Sequence, residues 1–134
     1  MTISGQRSSQ AIKAESRSMN IKIKRVYEQR DKKDGERILV DRLWPRGLTK
    51  EKANIDLWLK GIAPSSELRR WFGHDPEKWK SFRGRYETEI RHNNDLVKLL
   101  KQKANKRTVT LVYGARDERH NEAQVLKHFL ENSK

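Results

Sequence analysis

No cysteine occurs anywhere in the 134 residues. That excludes disulfide staples, thiolate metal sites and a cysteine nucleophile, so packing alone must hold the fold together. No run of about eighteen apolar residues exists, and the N-terminus lacks the apolar centre of a secretory signal. The expectation is a cytoplasmic protein with no membrane partner. Missing too are a GxxxxGK[ST] loop, a GxGxxG turn after a strand, an HExxH helix and a GxSxG elbow. P-loop hydrolysis, dinucleotide redox chemistry, zincin proteolysis and hydrolase-type acyl transfer therefore lack their usual residues. The histidines, at 74, 92, 120 and 128, are not spaced as metal ligands. Neither metal nor cofactor is expected.

What the chain has in excess is positive charge, formally +13. Arg7, Lys13 and Arg17 against Glu15 leave only +2 of it in the first twenty residues, so the basicity belongs to the whole domain. Lysines and arginines alternate with acids along the sequence, the pattern of a solvated helical surface rather than of a dedicated polyanion strip. Any nucleic-acid binding should accordingly be weak and nonspecific.

The length suits one core. Residues 1–20, rich in serine and poor in large apolar side chains, read as a disordered leader, with residues 21–134 as the folded domain; Met19 equally well opens the folded unit. "NIKIKRVYE" alternates Ile21 and Ile23, as a first strand would. The polar "QRDKKDGE" that follows is too short for a crossover helix, so the first two strands should pair antiparallel or not at all. "RILVD" is a second strand, buried on both faces by Ile38, Leu39 and Val40, and "RTVTLVY" is its distant partner. Between them, "KEKANIDLWLKG" reads as a helix burying Ile55, Trp58 and Leu59 and ending at Gly61. A second short helix starts at Ser65 or Ser66. In "HDPEKW", Asp75 caps, Pro76 takes the first helical position, and a helix with Trp79, Phe82, Tyr86 and Ile90 on its apolar face runs to about Arg91. Two more helices follow, burying Leu96, Val97, Leu99 and Leu100, and then Ala123, Leu126, Phe129 and Leu130. The class is α/β: a single compact domain with a small mixed or mostly parallel sheet, helices packed on it, in a Rossmann-like three-layer arrangement.

The most informative stretch is "RILVDRLWPRG", Arg37–Gly47, where three apolar residues lead straight into an acid and two arginines. In an open parallel sheet, ligands bind in the crevice beyond the strands' carboxyl ends. Two loops there carry matching chemistry: Asp41, Arg42, Trp44, Pro45, Arg46 and Gly47 after one strand, and Gly114, Arg116, Asp117, Arg119, His120 and Asn121 after the other. If those strands are parallel neighbours, the guanidiniums of Arg42, Arg46 and Arg116 converge on one phosphate or carboxylate. Trp44 and Asn121 complete the candidate ligand contacts, and Asp41, Asp117 and His120 are the candidates for proton transfer. Two structural ion pairs, Asp41 with Arg116 and Asp117 with Arg42, would account for the same residues without a ligand, and Trp44 would serve equally as a core plug. His74 has a local explanation as the residue before the Asp75 cap, with a proton-shuttling imidazole near the crevice as the alternative.

The motifs LVDRLWPRG, APS-x-x-LR-x-WF-x-HDP-x-KW-x-x-F and ARD-x-x-HN-x-A, spread over nearly all of residues 21–130, resemble the domain-of-unknown-function family 488 (DUF488) in its short, YeaO-like bacterial form. The resemblance implies a compact single-domain α/β protein. It marks Asp41, Arg42, Trp44, Pro45, Arg46, His74, Asp75, Arg116, Asp117, His120 and Asn121 as motif positions and assigns no roles. Three readings stand: an enzyme or sensor of a small anionic ligand, a nucleic-acid-binding accessory protein, and a structural or partner-binding domain.

Overall fold

The structure, a computed structural model, describes residues 19–133. Most of the expected leader lies outside the described residues. Its last two positions belong to the fold: Met19 packs against the core and the Asn20 backbone N–H donates to the Ala104 carbonyl. Among the described residues, no helix is long and apolar enough to cross a membrane.

Four parallel strands, β1 (Ile21–Arg25), β2 (Glu36–Leu39), β3 (Leu57–Trp58) and β4 (Val109–Tyr113), form one sheet in the order β1-β4-β2-β3. β1 and β2 do not pair with each other, because β4 lies between them; this is the second of the two outcomes that the short connection allowed. The unbroken apolar run in β2 divides between two faces. Ile38 and Val40 join Leu111 and Tyr113 under the helices, while Leu39 and Val112 pack on the other side with Val26, Ala53, Trp44 and Trp58. The helical layer consists of α2 (Ser66–Phe72), α3 (Trp79–Arg91), α4 (Asn94–Lys106) and α5 (Glu122–Asn132). The opposite layer is thin, built from the β1–β2 loop and α1 (Lys50–Ala53).

Caps set the helix starts. Ser65 accepts from the Leu68 N–H, Asn121 from Gln124, and Asp75 from Glu77, with Pro76 opening a 3-10 turn that runs into α3. One expected helix is corrected. Residues 50–61 do not form one helix: α1 ends at Asn54, which takes a left-handed conformation at φ 52°, and Leu57 and Trp58 then pair with Ile38 and Leu39 as an edge strand. Apolar residues three and four apart satisfy a helical period, yet a two-residue strand after a left-handed stop serves the same side chains.

Arg37 is fully buried on the thin-layer side of β2. Its guanidinium donates to Asp34 Oδ2 at 2.9 Å, to the Asn54 carbonyl at 2.9 Å and to the Ala53 carbonyl at 3.0 Å. Burial opposes ionisation of Asp34, but hydrogen bonds from the Asp31 backbone, Lys24 and Arg37 outweigh it and hold the carboxyl below its ordinary value. A lowered acid contributes stability that is present above the ordinary carboxylate range and lost as pH falls through the folded-state value. Asp34→Ala should therefore cost about 3 to 5 kcal/mol at neutral pH, the penalty for stranding a buried charge, and Asp34→Ala/Arg37→Met less than that. Urea unfolding should also show the gap between wild type and Asp34→Ala narrowing in acid.

Candidate functional site

The chain leaves β2 towards the thin layer, where Trp44 and Leu48 pack, and leaves β4 towards α5 in the helical layer. Adjacent parallel strands whose exits diverge open a crevice at their carboxyl ends. A cavity of about 250 Å³ lies there, walled by Asp41, Arg42, Trp44 and Arg46 from one side and by Gly114, Ala115 and His120 from the other.

The β2 loop is fixed by bonds at nearly every turn. Val40 N–H continues the ladder to the Val112 carbonyl. Trp58 Nε1 donates to the Asp41 carbonyl at 2.7 Å, Trp44 Nε1 to the Leu48 carbonyl at 2.7 Å, and the two indoles meet edge to face at 5.4 Å. Trp44 is thus both a core plug and a cavity wall. Tyr27 hydroxyl donates to the Arg46 carbonyl, and Gly47 adopts φ 80°, a conformation that favours glycine.

Asp41 lies at the centre. Its Oδ2 accepts from the Gly114 N–H at 2.9 Å, and a Cβ on residue 114 would stand only 3.1 Å from that oxygen, so the two loops close on each other through a small residue. Asp41 Oδ1 accepts no hydrogen bond from a described residue. Burial pushes the carboxyl up to about 6, against the opposing pulls of the Gly114 N–H and the positive charge of Arg69.

The arginines separate into three kinds. Arg42 is committed to protein: Nε donates to the Pro64 carbonyl at 2.9 Å and a terminal nitrogen to the Ala63 carbonyl at 3.2 Å. Arg46 lines the cavity, and its guanidinium takes no partner among the described residues. Arg116 is exposed and does not line the cavity. A third cavity arginine, Arg69 of α2, escaped the reading of the two loops; it too is exposed and makes no ion pair with a described residue. One signal could have found it, because the motif LR-x-WF specifies Arg69 and leaves Arg70 open.

Neither of the ion pairs that would replace a ligand, Asp41 with Arg116 or Asp117 with Arg42, forms among the described residues. Asp117 instead accepts from the backbone N–H groups of Arg119 and His120 and from His120 Nδ1 at 2.8 Å. The His120 side chain, ahead of the backbone bonds, holds the Asp117 carboxyl below its ordinary value. Asp117 lies outside the cavity wall and positions the His120 ring, which stands edge to face with Trp79 at 5.1 Å. Asn121 is buried; its carbonyl oxygen caps α5 and its amide donates to the Asp117 and Glu118 carbonyls, so it shapes the loop from beneath. His74, exposed at φ 59°, also reaches the cavity. Among the described residues, no group of His, Asp and Glu is placed to hold a metal ion.

A family model described as "Inactive DUF488-N3 subclade" matches residues 20–134. The protein YeaO of Escherichia coli K12, itself described as uncharacterised, is 43% identical over 112 residues, covering 84% of this chain and 97% of that protein. An uncharacterised protein of Mycobacterium tuberculosis strain H37Rv is 38% identical over 114 residues, covering 85% of this chain and 96% of the relative. No solved structure matches the chain.

The raised Asp41 carboxyl has a thermodynamic consequence whose sign is fixed. The folded state retains a proton that the unfolded chain releases between about pH 4 and 6, so stability falls as pH rises through that window. Asp41→Asn keeps an acceptor for Gly114 and removes the buried charge. The variant should be more stable than wild type at about pH 7.5, by as much as about 3 kcal/mol, with the difference vanishing near pH 3.5. Urea titrations at both values check it; equal stability at both would mean that Asp41 is solvated.

Proposed function

This chain belongs to the DUF488 family, and from that premise we propose that its cavity is a binding site for a small anion, a phosphate or carboxylate, held by Arg46 and Arg69. The observation that carries the reading is the contrast among the cavity arginines: Arg42 spends its donors on the Ala63 and Pro64 carbonyls, whereas Arg46 and Arg69 line the same cavity with no donor spent on a described residue. Arg42 then acts as a strut that joins the β2 loop to the start of α2. Unpaired guanidiniums at one concave, partly apolar site are suited to a carboxylate or phosphate.

Binding without turnover is favoured over catalysis. Among the described residues lining the cavity none is Ser, Thr, Cys or Lys, and the Tyr27 hydroxyl is engaged with the Arg46 carbonyl. The word "inactive" in the family description agrees. Asp41 and His120 remain as groups that accept a proton from a bound ligand, with Asp117 fixing the ring of the second.

The nucleic-acid reading gains less support. The Trp71 ring, half-buried, is covered by Lys78 Nζ at 5.0 Å and by the Arg85 guanidinium at 4.3 Å, and Trp58 by Lys60 Nζ at 4.2 Å. These rings are already occupied by cations, which leaves them poor platforms for stacked bases.

Titration with inorganic phosphate at constant ionic strength, followed by amide NMR, tests the site. Saturable shifts should centre on Arg46, Arg69 and Gly114. Arg46→Ala and Arg69→Ala should each weaken binding about tenfold or more, the loss expected for charge-assisted hydrogen bonds, with little change in stability. Shifts spread without saturation over the lysine-rich surface would refute the site.

A further inference from the structure

We infer that the ligand joins its anion to a flat, largely apolar ring bearing a neutral N–H donor, the chemistry of a nucleoside monophosphate, with the ring at the Tyr27–Leu43 lip and its donor on Asp41 Oδ1. This rests on the anion-binding reading and names the rest of the molecule.

Three observations carry it. First, the large hydrophobic side chains left exposed among the described residues are Tyr27, 44% exposed, and Leu43, 57% exposed, and both lie on this cavity; the Arg25 guanidinium covers one face of the Tyr27 ring at 4.9 Å, so the lip is Leu43 with the exposed remainder of Tyr27. They come from loops after different strands, β1 and β2, so their meeting at one mouth is a product of the sheet order. A bare phosphate has no use for such a lip. Second, the interior continues that character: Phe72 and Phe82, stacked at 4.3 Å between ring centres, form part of the wall. A ring entering between the lip and this wall exchanges water for apolar surface on both faces.

Third, Asp41 Oδ1 has no donor among the described residues, while its Oδ2 is satisfied by Gly114. The residue is partly buried and lines the cavity, so this oxygen is open to the cavity and free to accept from a ligand N–H or amino group. The charges nearby decide which kind of donor. Arg42, Arg46 and Arg69 line the cavity against the carboxylates of Asp41 and Glu122, and Arg69 already stabilises the Asp41 charge, so an ammonium would enter among guanidiniums that outnumber the acids. A neutral ring donor meets no such repulsion. The anion of the same molecule then falls to the unpaired Arg46 and Arg69.

The test is calorimetric titration of the full chain, at constant ionic strength, with the common nucleoside monophosphates, the matching unphosphorylated nucleosides, inorganic phosphate and phosphoserine. At least one monophosphate should bind about tenfold or more tightly than both inorganic phosphate and its own nucleoside. Leu43→Ser, a change at an exposed position, should erase that preference while leaving phosphate binding within about twofold. Asp41→Asn should erase it as well. If phosphate binds and no monophosphate binds better, or if phosphoserine binds best, the ring inference is overturned while the anion site stands. If nothing binds, both fall. A short oligonucleotide with a terminal phosphate separates the two sources of this chemistry: binding tighter than the free monophosphate identifies a strand end, and weaker binding identifies the free nucleotide.

Discussion

A single buried cation organises the end of the sheet opposite the cavity. Arg37 reaches from β2 to the β1–β2 loop through Asp34 and to the end of α1 through the Ala53 and Asn54 carbonyls, while its own backbone N–H donates to Asp56 ahead of β3. Asp34 extends the network, taking Lys24 of β1 on its carboxylate and the Thr110 hydroxyl of β4 on its carbonyl. All four strands are thereby tied to one ion pair or its neighbours. A charged hub is unusual in a core, and its net energy is no argument for its presence, since desolvation consumes most of the attraction. What it supplies is definition. Beyond Val26, which packs with Leu39 and Val112, and Tyr27, residues 28–35 of the β1–β2 loop have no apolar side chain to bury, and α1, with four residues, is too short to persist alone. Polar bonds are the remaining way to hold them down.

That hub bears directly on the cavity. With α1 and the chain before it held against the sheet, Trp44 and Leu48 are pinned over Leu39 and Val112, and the loop that carries Asp41, Arg42 and Arg46 starts and ends on fixed points. Arg42 adds a third, at Ala63 and Pro64. The two ends of the sheet therefore divide the work. Satisfied charge at the amino ends stabilises; at the carboxyl ends, charge is left partly unsatisfied at some cost, as in Asp41. On the proposed function, that cost serves the ligand rather than the fold.

How far the site was legible in the sequence follows from this division. Periodicity and caps located β2, β4, α2, α3, α4 and α5, and the adjacency of β2 and β4 placed the "DRLWPRG" and "GARDERHN" loops at one crevice. Local chemistry also identified Asp75 as a cap and narrowed the other to Ser65 or Ser66, of which the fold uses Ser65. Residue type said much less about the arginines. Arg37, Arg42, Arg46, Arg69 and Arg116 are the same side chain, and their fates differ according to which carbonyls and carboxylates the fold leaves without partners nearby. The Ala63 and Pro64 carbonyls claim Arg42, those of Ala53 and Asn54 claim Arg37, and no periodicity encodes either. Asp117 and Arg116 are neighbours in sequence, yet one turns back to order His120 and the other faces solvent. The edge strand β3 was hidden for a related reason: two residues paired to β2 carry too short a pattern to compete with a helical reading.

The cavity is built more for fit than for movement. Its β2 wall is fixed by the two indole N–H bonds and by Arg42, its β4 wall by the Gly114–Asp41 bond and by Arg25 Nε donating to the Ala115 carbonyl at 2.9 Å, and His120 by Asp117. A site so constrained would lose little conformational freedom on binding the proposed ligand, so the few open valences would count for more of the affinity than their number suggests. Those valences are one carboxylate oxygen, two guanidiniums and an apolar lip, the features on which the proposed ligand, with its donor, anion and flat body, rests. Rigidity of this kind suits recognition. The side chains left free to adapt are those at the mouth, Leu43, Arg46 and Arg69, where a ligand's variable parts would be read.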